Sequence, residues 1–339
     1  MKAAVLTEAG VAVREIDIPK PGPHQVLVRV KAVGLNRADV IMASGHMHGA
    51  VGGPGTVLGL EFAGEVAAVG SSVTSAKVGE RVMSSGNAAY AEYAVADEWR
   101  LSPIPANNMG YEQAATLPVA LQTMHDAIVT NGQMKSGETV LIQGASSGVG
   151  LMGLQIAKLK GARLVLGTST NPERRERLKD FGADIAVDTT RPNWSEVVRE
   201  ATEGKGVDLI IDQVSASVAN ENMKAAAVLG RIVNVGRLGG FKGEFDFDLH
   251  ALKRILHWCY IPHAHTGRGS GDCAAHARRP LAGHRSWQAQ LTYRSHFSAE
   301  RSSRGAGLHA REQALRQDCA GDLKTPTICC RYSCNARDA

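Results

Sequence analysis

The first 256 residues of this 339-residue chain contain no cysteine, and all six cysteines fall in 257–339, a stretch that in turn contains no valine. A cysteine-free body has no disulfide framework and suits a reducing compartment. No apolar run approaches the roughly 18–20 residues needed to cross a bilayer. Only a four-residue apolar run, Ala3–Leu6, precedes Thr7 and Glu8, so the N-terminus reads as a strand and turn rather than a signal peptide. A cytoplasmic location with no membrane partner is expected. A charge surplus is also missing from the body, where 26 Lys and Arg face 27 Asp and Glu. The net +5 comes from the tail, which has 12 against 6, so the basic balance is no argument for a nucleic-acid partner.

What is present up to residue 256 is orderly. Gln25–Val33 alternates like a half-buried strand, as do Glu61–Val69 and Ala89–Val95, with Gly, Pro and Asn clusters between them. This predicts a β-rich, barrel-like module, followed by a helical stretch over about 110–131. The period then changes. Thr139–Gln143 reads as a short buried strand, and after a glycine-rich turn comes a helix with Val149, Met152, Ile156 and Leu159 on one face. Strand-like runs recur at 163–167, 185–187, 207–212 and 231–235, with helical stretches near 172–181, 194–202 and 218–228. Strands alternating with helices predict βαβ units and a parallel sheet.

The turn Gly144-Ala145-Ser146-Ser147-Gly148-Val149-Gly150 is the most chemical feature. Glycines let the backbone approach a pyrophosphate, and the helix N-terminus offers free N–H groups and partial positive charge. Tight helix–strand packing without a ligand is the plainer alternative for such a string. The end of the second strand sorts NAD from NADP. An acid there would bind the ribose 2′-hydroxyl and repel a 2′-phosphate, but this chain offers Thr168 and Ser169, with Arg174 following. NADPH is expected as the cofactor. Asn234–Gly240, including Gly236 and Leu238, ends the fifth strand where the switch-point rule places the nicotinamide.

Gly34-Leu-Asn-Arg-Ala-Asp39, Gly59-Leu-Glu-Phe-Ala-Gly64 and the mid-chain glycine turn stand in the order that resembles the medium-chain dehydrogenase/reductase superfamily, and within it the zinc-independent quinone oxidoreductase branch. The resemblance covers about residues 1–256. It implies an α/β chain with a GroES-like β-barrel-type domain over 1–125, a Rossmann NADP-binding domain over 126–256, and an aberrant segment over 257–339. Short-chain dehydrogenases share the turn but need a Tyr-x-x-x-Lys pair, which none of Tyr90, Tyr93 and Tyr111 provides. Zinc-dependent relatives place a Cys near the position of Asn36 and a His at that of Leu60. Neither is present here, so no metal is expected. His46, His48 and His125 read as surface or packed histidines. The resemblance assigns Asn36 and Thr123 to the substrate and nicotinamide; a helix N-cap and a buried hydroxyl are their plainer readings. Met47 stands where relatives often have Tyr. The implied reaction is zinc-free hydride transfer from NADPH to a quinone or α,β-unsaturated carbonyl, in a homodimer. The rivals are a crystallin-like nucleotide-binding protein without turnover and a non-functional product of a damaged gene.

The last 83 residues break this grammar. Seven of the twelve histidines and eleven arginines lie there, with no sustained periodicity. The mixture of Arg, Ala, His, Gly, Ser and Cys is what GC-rich codons yield in a shifted frame, which predicts a frameshifted, disordered tail. Cys329, Cys330 and Cys334 lack the paired spacing of a zinc site.

Overall fold

The computed structural model describes residues 1–47, 51–106, 109–259 and 327–329, and the chain divides by its contacts into two units. The first spans Met1–Val119. It opens with a hairpin of β1 (Lys2–Thr7) and β2 (Gly10–Glu15). Then come β3 (Gln25–Gly34), helix α1 (Arg37–Ala43), β4 (Glu61–Val69), β5 (Arg81–Ser85), β6 (Tyr93–Asp97), β7 (Leu101–Pro103) and the single-turn α2 (Tyr111–Ala114). Strands β3, β4, β5 and β7 form an antiparallel ladder, and β6 pairs with the other edge of β3. Alternation drives this arrangement: Val26, Val28 and Val30 of β3 point with Phe62, Val66 and Val82 into one buried cluster. Glycine at 64 is required, because a Cβ there would overlap the Arg29 carbonyl across the ladder.

The second unit begins at Ala120, within α3 (Pro118–His125), so the division falls inside a helix rather than at 125/126. The helical stretch expected over 110–131 is built of three pieces: α2, α3 starting at Pro118, and a π-helical turn over Asp126–Asn131. Proline is favoured at a helix start and unfavourable inside one, which explains the break before α3. Next follow β8 (Thr139–Ile142), α4 (Gly148–Leu159), β9 (Leu164–Thr168), α5 (Pro172–Glu176), β10 (Ile185–Val187), α6 (Trp194–Ala201), β11 (Val207–Asp212), α7 (Ala219–Ala225), β12 (Ala226–Asn234), α8 (Phe247–Lys253) and β13 (Leu256–Cys259). All six strands are parallel, in the order β10-β9-β8-β11-β12-β13. This is the doubly wound Rossmann order, reversing direction beside β8. On α4 the buried face is Leu151, Met152, Leu154 and Ile156, while Leu159, expected inside, is exposed.

The tail reading meets two differences. Strand β13 runs across 256/257 and pairs with β12 from Arg231 to Asn234, and Thr327–Cys329 forms β14, parallel to β3 at Ala32–Gly34. Two short strands therefore stand where a disordered segment is expected. A backbone edge accepts nearly any sequence for three or four residues, so composition is a poor guide to such pairing. The remainder of the tail, with Cys330 and Cys334, lies outside the described residues, as does His48.

Candidate active site and cofactor cradle

In the second unit the predicted cofactor residues converge at the carboxyl ends of β8, β9, β11 and β12. Gly144 turns at φ +65°, a conformation that suits glycine. Ser147 is the N-cap of α4, and its Oγ accepts from the Gly150 N–H at 3.0 Å. Helix geometry leaves Gly148 and Val149 N–H without intrahelical acceptors, the arrangement that holds an anion. Ala145 is fully buried, and a Cβ on Gly150 would come 2.6 Å from the Gly144 carbonyl. The tight turn and the free N–H groups fit a dinucleotide pyrophosphate.

Buried polar side chains hold this turn, among them Gln213, which the sequence reading missed. Gln213, just after β11, donates from Nε2 to the Gln143 carbonyl at 3.0 Å, and its Oε1 accepts from the Ser147 hydroxyl at 3.0 Å. Thr168 Oγ1 donates to Gln143 Oε1 at 2.7 Å and accepts from Gly144 N–H at 3.0 Å. Thr168 is 1% exposed with its hydroxyl engaged on both sides, so it shapes the turn from within. Ser169 Oγ donates to Ser146 Oγ at 3.0 Å, which leaves these two hydroxyls at the end of β9. Arg174 lies half-buried on α5, and its neighbour Arg175 donates to the Ser169 carbonyl and forms an ion pair with Asp188 at 3.0 Å. The one available clue to the buried pair was position: Asp212 and Gln213 end the apolar run 209–211 at the sheet's carboxyl edge.

Gly236 and Leu238 are drawn onto the same edge. Leu238 N–H donates to the Gln213 carbonyl at 3.1 Å, Gly239 N–H to the Val214 carbonyl at 2.7 Å, and a Cβ on Gly144 would meet Leu238 Cδ1 at 3.8 Å. Asp212 receives the N–H groups of Val214 and Ser215, and the Asn234 amide donates to the Ser215 hydroxyl. Ser215 sits at φ +68°, a region that non-glycine residues rarely occupy, in this hydrogen-bonded turn. Burial raises the Asp212 pKa above the usual carboxylate value, against the lowering effect of those N–H groups. Thr123, on α3, is 6% exposed.

In the first unit Asn36 is half-buried at the N-cap position of α1. Its Nδ2 donates to Glu61 Oε1 at 3.0 Å, and Glu61 Oε2 accepts from Val119 N–H at 2.9 Å. A Cβ on Gly34 would overlap Glu61 Oε1 and the Ala115 carbonyl, which accounts for the glycine that opens the Gly-Leu-Asn motif. Asp39 Oδ2 accepts from the Tyr90 hydroxyl at 2.7 Å and from Asn36 N–H at 2.9 Å. Burial, partly opposed by these bonds, pushes Asp39 up to about 6 and Glu61 to about 7. Leu60 is buried, His46 and Met47 are exposed, and His125 is half-buried in the last turn of α3. Among the described residues no group of three or more His, Cys, Asp or Glu could hold a metal ion. An amide at 36 and an isobutyl group at 60 do not make a zinc donor set. Nor, among the described residues, is any helix long and apolar enough to cross a membrane.

Residues 22–106 match the alcohol dehydrogenase GroES-like domain, and residues 148–257 match the zinc-binding dehydrogenase domain. A quinone oxidoreductase of Pseudomonas aeruginosa is 35% identical over 67% of this chain and 69% of its own length. The chain belongs to the medium-chain dehydrogenase/reductase superfamily of oxidoreductases, in its quinone oxidoreductase-like branch. A mycobacterial protein solved in complex with NADPH superposes with a TM-score of 0.70 at 28% identity, covering 85% of this chain and 86% of that one. Far larger proteins also match: phthioceranic/hydroxyphthioceranic acid synthase of Mycobacterium tuberculosis is 34% identical over 70% of this chain, which spans 11% of that synthase. The second domain match stops at residue 257, where the composition changes.

Proposed function

We propose that this protein transfers hydride from NADPH to a quinone or an α,β-unsaturated carbonyl without zinc. The observation that carries the reading is the cradle at 144–150 combined with a second-strand end that lacks an acid and carries the Ser146–Ser169 hydroxyl pair. The cofactor supplies the hydride. The chain's part is to hold and orient it and to keep water from the reacting carbon. In this reading Gly144–Gly150 hold the pyrophosphate, Ser169 and Arg174 face the 2′-phosphate, and Gly236 and Leu238 lie against the nicotinamide. Thr168 acts behind the turn. Asn36 and Thr123 are assigned to the substrate and nicotinamide, the protein is cytoplasmic, and a homodimer is the proposed assembly. Support for the acceptor class comes from the similarity to a quinone oxidoreductase.

NADPH consumption against a panel of quinones and enones tests the reaction. Turnover with at least one class is expected; tight NADPH binding with none across the panel favours the crystallin-like reading. Dialysed protein should hold well under one zinc per chain, and activity that depends on stoichiometric zinc overturns the metal-free assignment.

Cofactor choice provides a sharper test. Ser169→Asp should reverse the preference from NADPH to NADH by on the order of 1–3 kcal/mol, through loss of a charge-assisted hydrogen bond and repulsion of the 2′-phosphate. Thr168→Asp should instead destabilise the turn and weaken both cofactors, because its hydroxyl faces Gln143 and Gly144. Isothermal titration of each variant distinguishes the two outcomes. Equal parental affinities for NADPH and NADH count against the assignment.

A further inference from the structure

Glu61 begins β4 inside the first unit, 4% exposed, and its two oxygens meet chemically different partners. Oε2 faces the Val119 N–H, which can only donate. Oε1 faces the Asn36 side chain, a primary amide with a donor end and an acceptor end that a half-turn about Cβ–Cγ exchanges. A proton on Oε2 would orphan a backbone N–H, so a proton on Glu61 belongs on Oε1. There it needs an acceptor, and a half-turn of the Asn36 amide, whose Nδ2 now lies 3.0 Å from Oε1, puts Oδ1 in that place. The backbone of Asn36 stays fixed meanwhile: its N–H donates to Asp39 Oδ2 at 2.9 Å, and its carbonyl accepts from Asp39 N–H at 3.0 Å.

We propose that Glu61 is a positioning residue whose Oε1 proton decides which end of the Asn36 amide is turned away from it: the carbonyl oxygen when Glu61 is ionised, the NH2 group when it is protonated. The inference rests on the reading of Asn36 as the residue that meets the substrate carbonyl. Hydride addition to a conjugated carbonyl builds negative charge on its oxygen, and only the NH2 end can donate to that charge. The protonated form of Glu61 is therefore the competent one.

The surroundings bring both forms into the neutral range. Burial is the larger cause and the negative charge of Asp39 adds to it, outweighing the bonds from Val119 and Asn36, so that Glu61 titrates at about 7. Asp39 comes from α1, with the Tyr90 phenol behind it. Gly34 of β3, Ala115 after α2, Val119 of α3 and Ser85, opposite Glu61 in the register of β5, are not titratable side chains. In the register of β14, Cys329 stands opposite Gly34.

The test uses the full chain with NADPH and either para-benzoquinone or methyl vinyl ketone. The proposal expects kcat to fall roughly tenfold as pH rises through about 7, the size of one lost hydrogen bond to a charged centre, with KM for NADPH unchanged. Glu61→Gln keeps a carbonyl for the Val119 N–H and offers its own NH2 to Asn36 Oδ1, so its kcat should stay at the low-pH level throughout. Asn36→Ala should lower kcat at low pH and abolish the step. An Asn36→Ala variant with parental kcat defeats the substrate reading of Asn36, and the proposal with it. An impaired Asn36→Ala variant beside a Glu61→Gln variant that keeps the pH step defeats the positioning role alone. Infrared difference spectra of the asparagine-¹³C-labelled chain provide a readout independent of turnover and of variant folding. A protonated-carboxyl band should vanish near neutral pH while a side-chain amide carbonyl band shifts in step. A missing carboxyl band, or one that titrates without the amide shift, overturns the proposal.

Discussion

Raising the pH from about 5 to about 8 should cost this protein on the order of 3 kcal/mol of stability, and Glu61→Gln should remove most of that loss. The origin is the buried pair. In the folded chain Glu61 titrates near 7 rather than 4.5, and Asp39 near 6 rather than 3.8. Both therefore bind protons more tightly folded than unfolded. Their stabilisation is complete below the unfolded values and is lost as pH rises through the folded ones. Other carboxylates act in the opposite direction but in a different window. Glu65, Glu98 and Asp188 are held below their ordinary pKa, chiefly by hydrogen bonds from Tyr111, His24 and Thr190. Their contribution is gained as pH rises through the acid range and is complete once the unfolded chain has ionised, before the loss from Glu61 is fully felt. Urea unfolding at fixed temperature across this range measures the slope. Stability that is flat or rising between those limits refutes a buried, proton-retaining Glu61.

Replacing Gly150 with alanine should weaken NADPH binding at least ~100-fold, or about 3 kcal/mol, while Gly153→Ala, one turn further along α4, should bind within ~3-fold of the parent. Both glycines are buried on the same helix, so propensity alone favours alanine equally at both. The difference is what a methyl group would meet. At Gly150 it is backbone: the Gly144 carbonyl at 2.6 Å and Ala145 Cα at 2.7 Å. These atoms are the turn itself, and moving them breaks the alignment of Ser147 with the Gly150 N–H and of Gln213 with the Gly144 strand end. At Gly153 the nearest atom is Met124 Sδ at 3.0 Å, the far end of a flexible side chain. NADPH fluorescence titration, with thermal melts as a folding control, separates the two. Equal affinity in both variants contradicts the close approach of backbone and pyrophosphate assumed for this turn.

Much of this was readable from residue order, for local reasons. Glu61–Val69 is legible at both ends because glycines at 59 and 70 bound it and its residues alternate. The strand–turn–helix at 139–159 was equally plain, since an apolar tetrad, a glycine string and a Ser N-cap agree. Strand β12 was less legible. Ala225, Ala226 and Ala227 suit a helix, yet the chain leaves α7 at Ala225 and is already extended at Ala226, because Val207 of β11 captures it. Thr168 looked like a ligand hydroxyl because its position at a strand end says nothing about which way Oγ1 turns. The tie between Asn36 and Glu61 bridges 25 residues, and Gln213 reaches Gln143 across 70. Such long-range polar pairs leave no periodic trace, and they are the parts of the site that sequence reading missed.

The strand order of the second unit also governs the timing of its synthesis. Strand β8 is the first of the six to be made and lies in the middle of the finished sheet. One of its edges is covered by β9 within a helix's length of chain, but the other waits for β11, whose first residue follows Ile142 by 65 positions. At about 5–20 residues per second on the ribosome, that edge stands open for roughly 3–13 s. For that interval the innermost strand of the mature fold is an edge strand, presenting a run of unpaired N–H and carbonyl groups to any neighbouring nascent chain. The hazard of mispairing in this unit is thus greatest at what becomes its centre, and it ends when β11 is delivered.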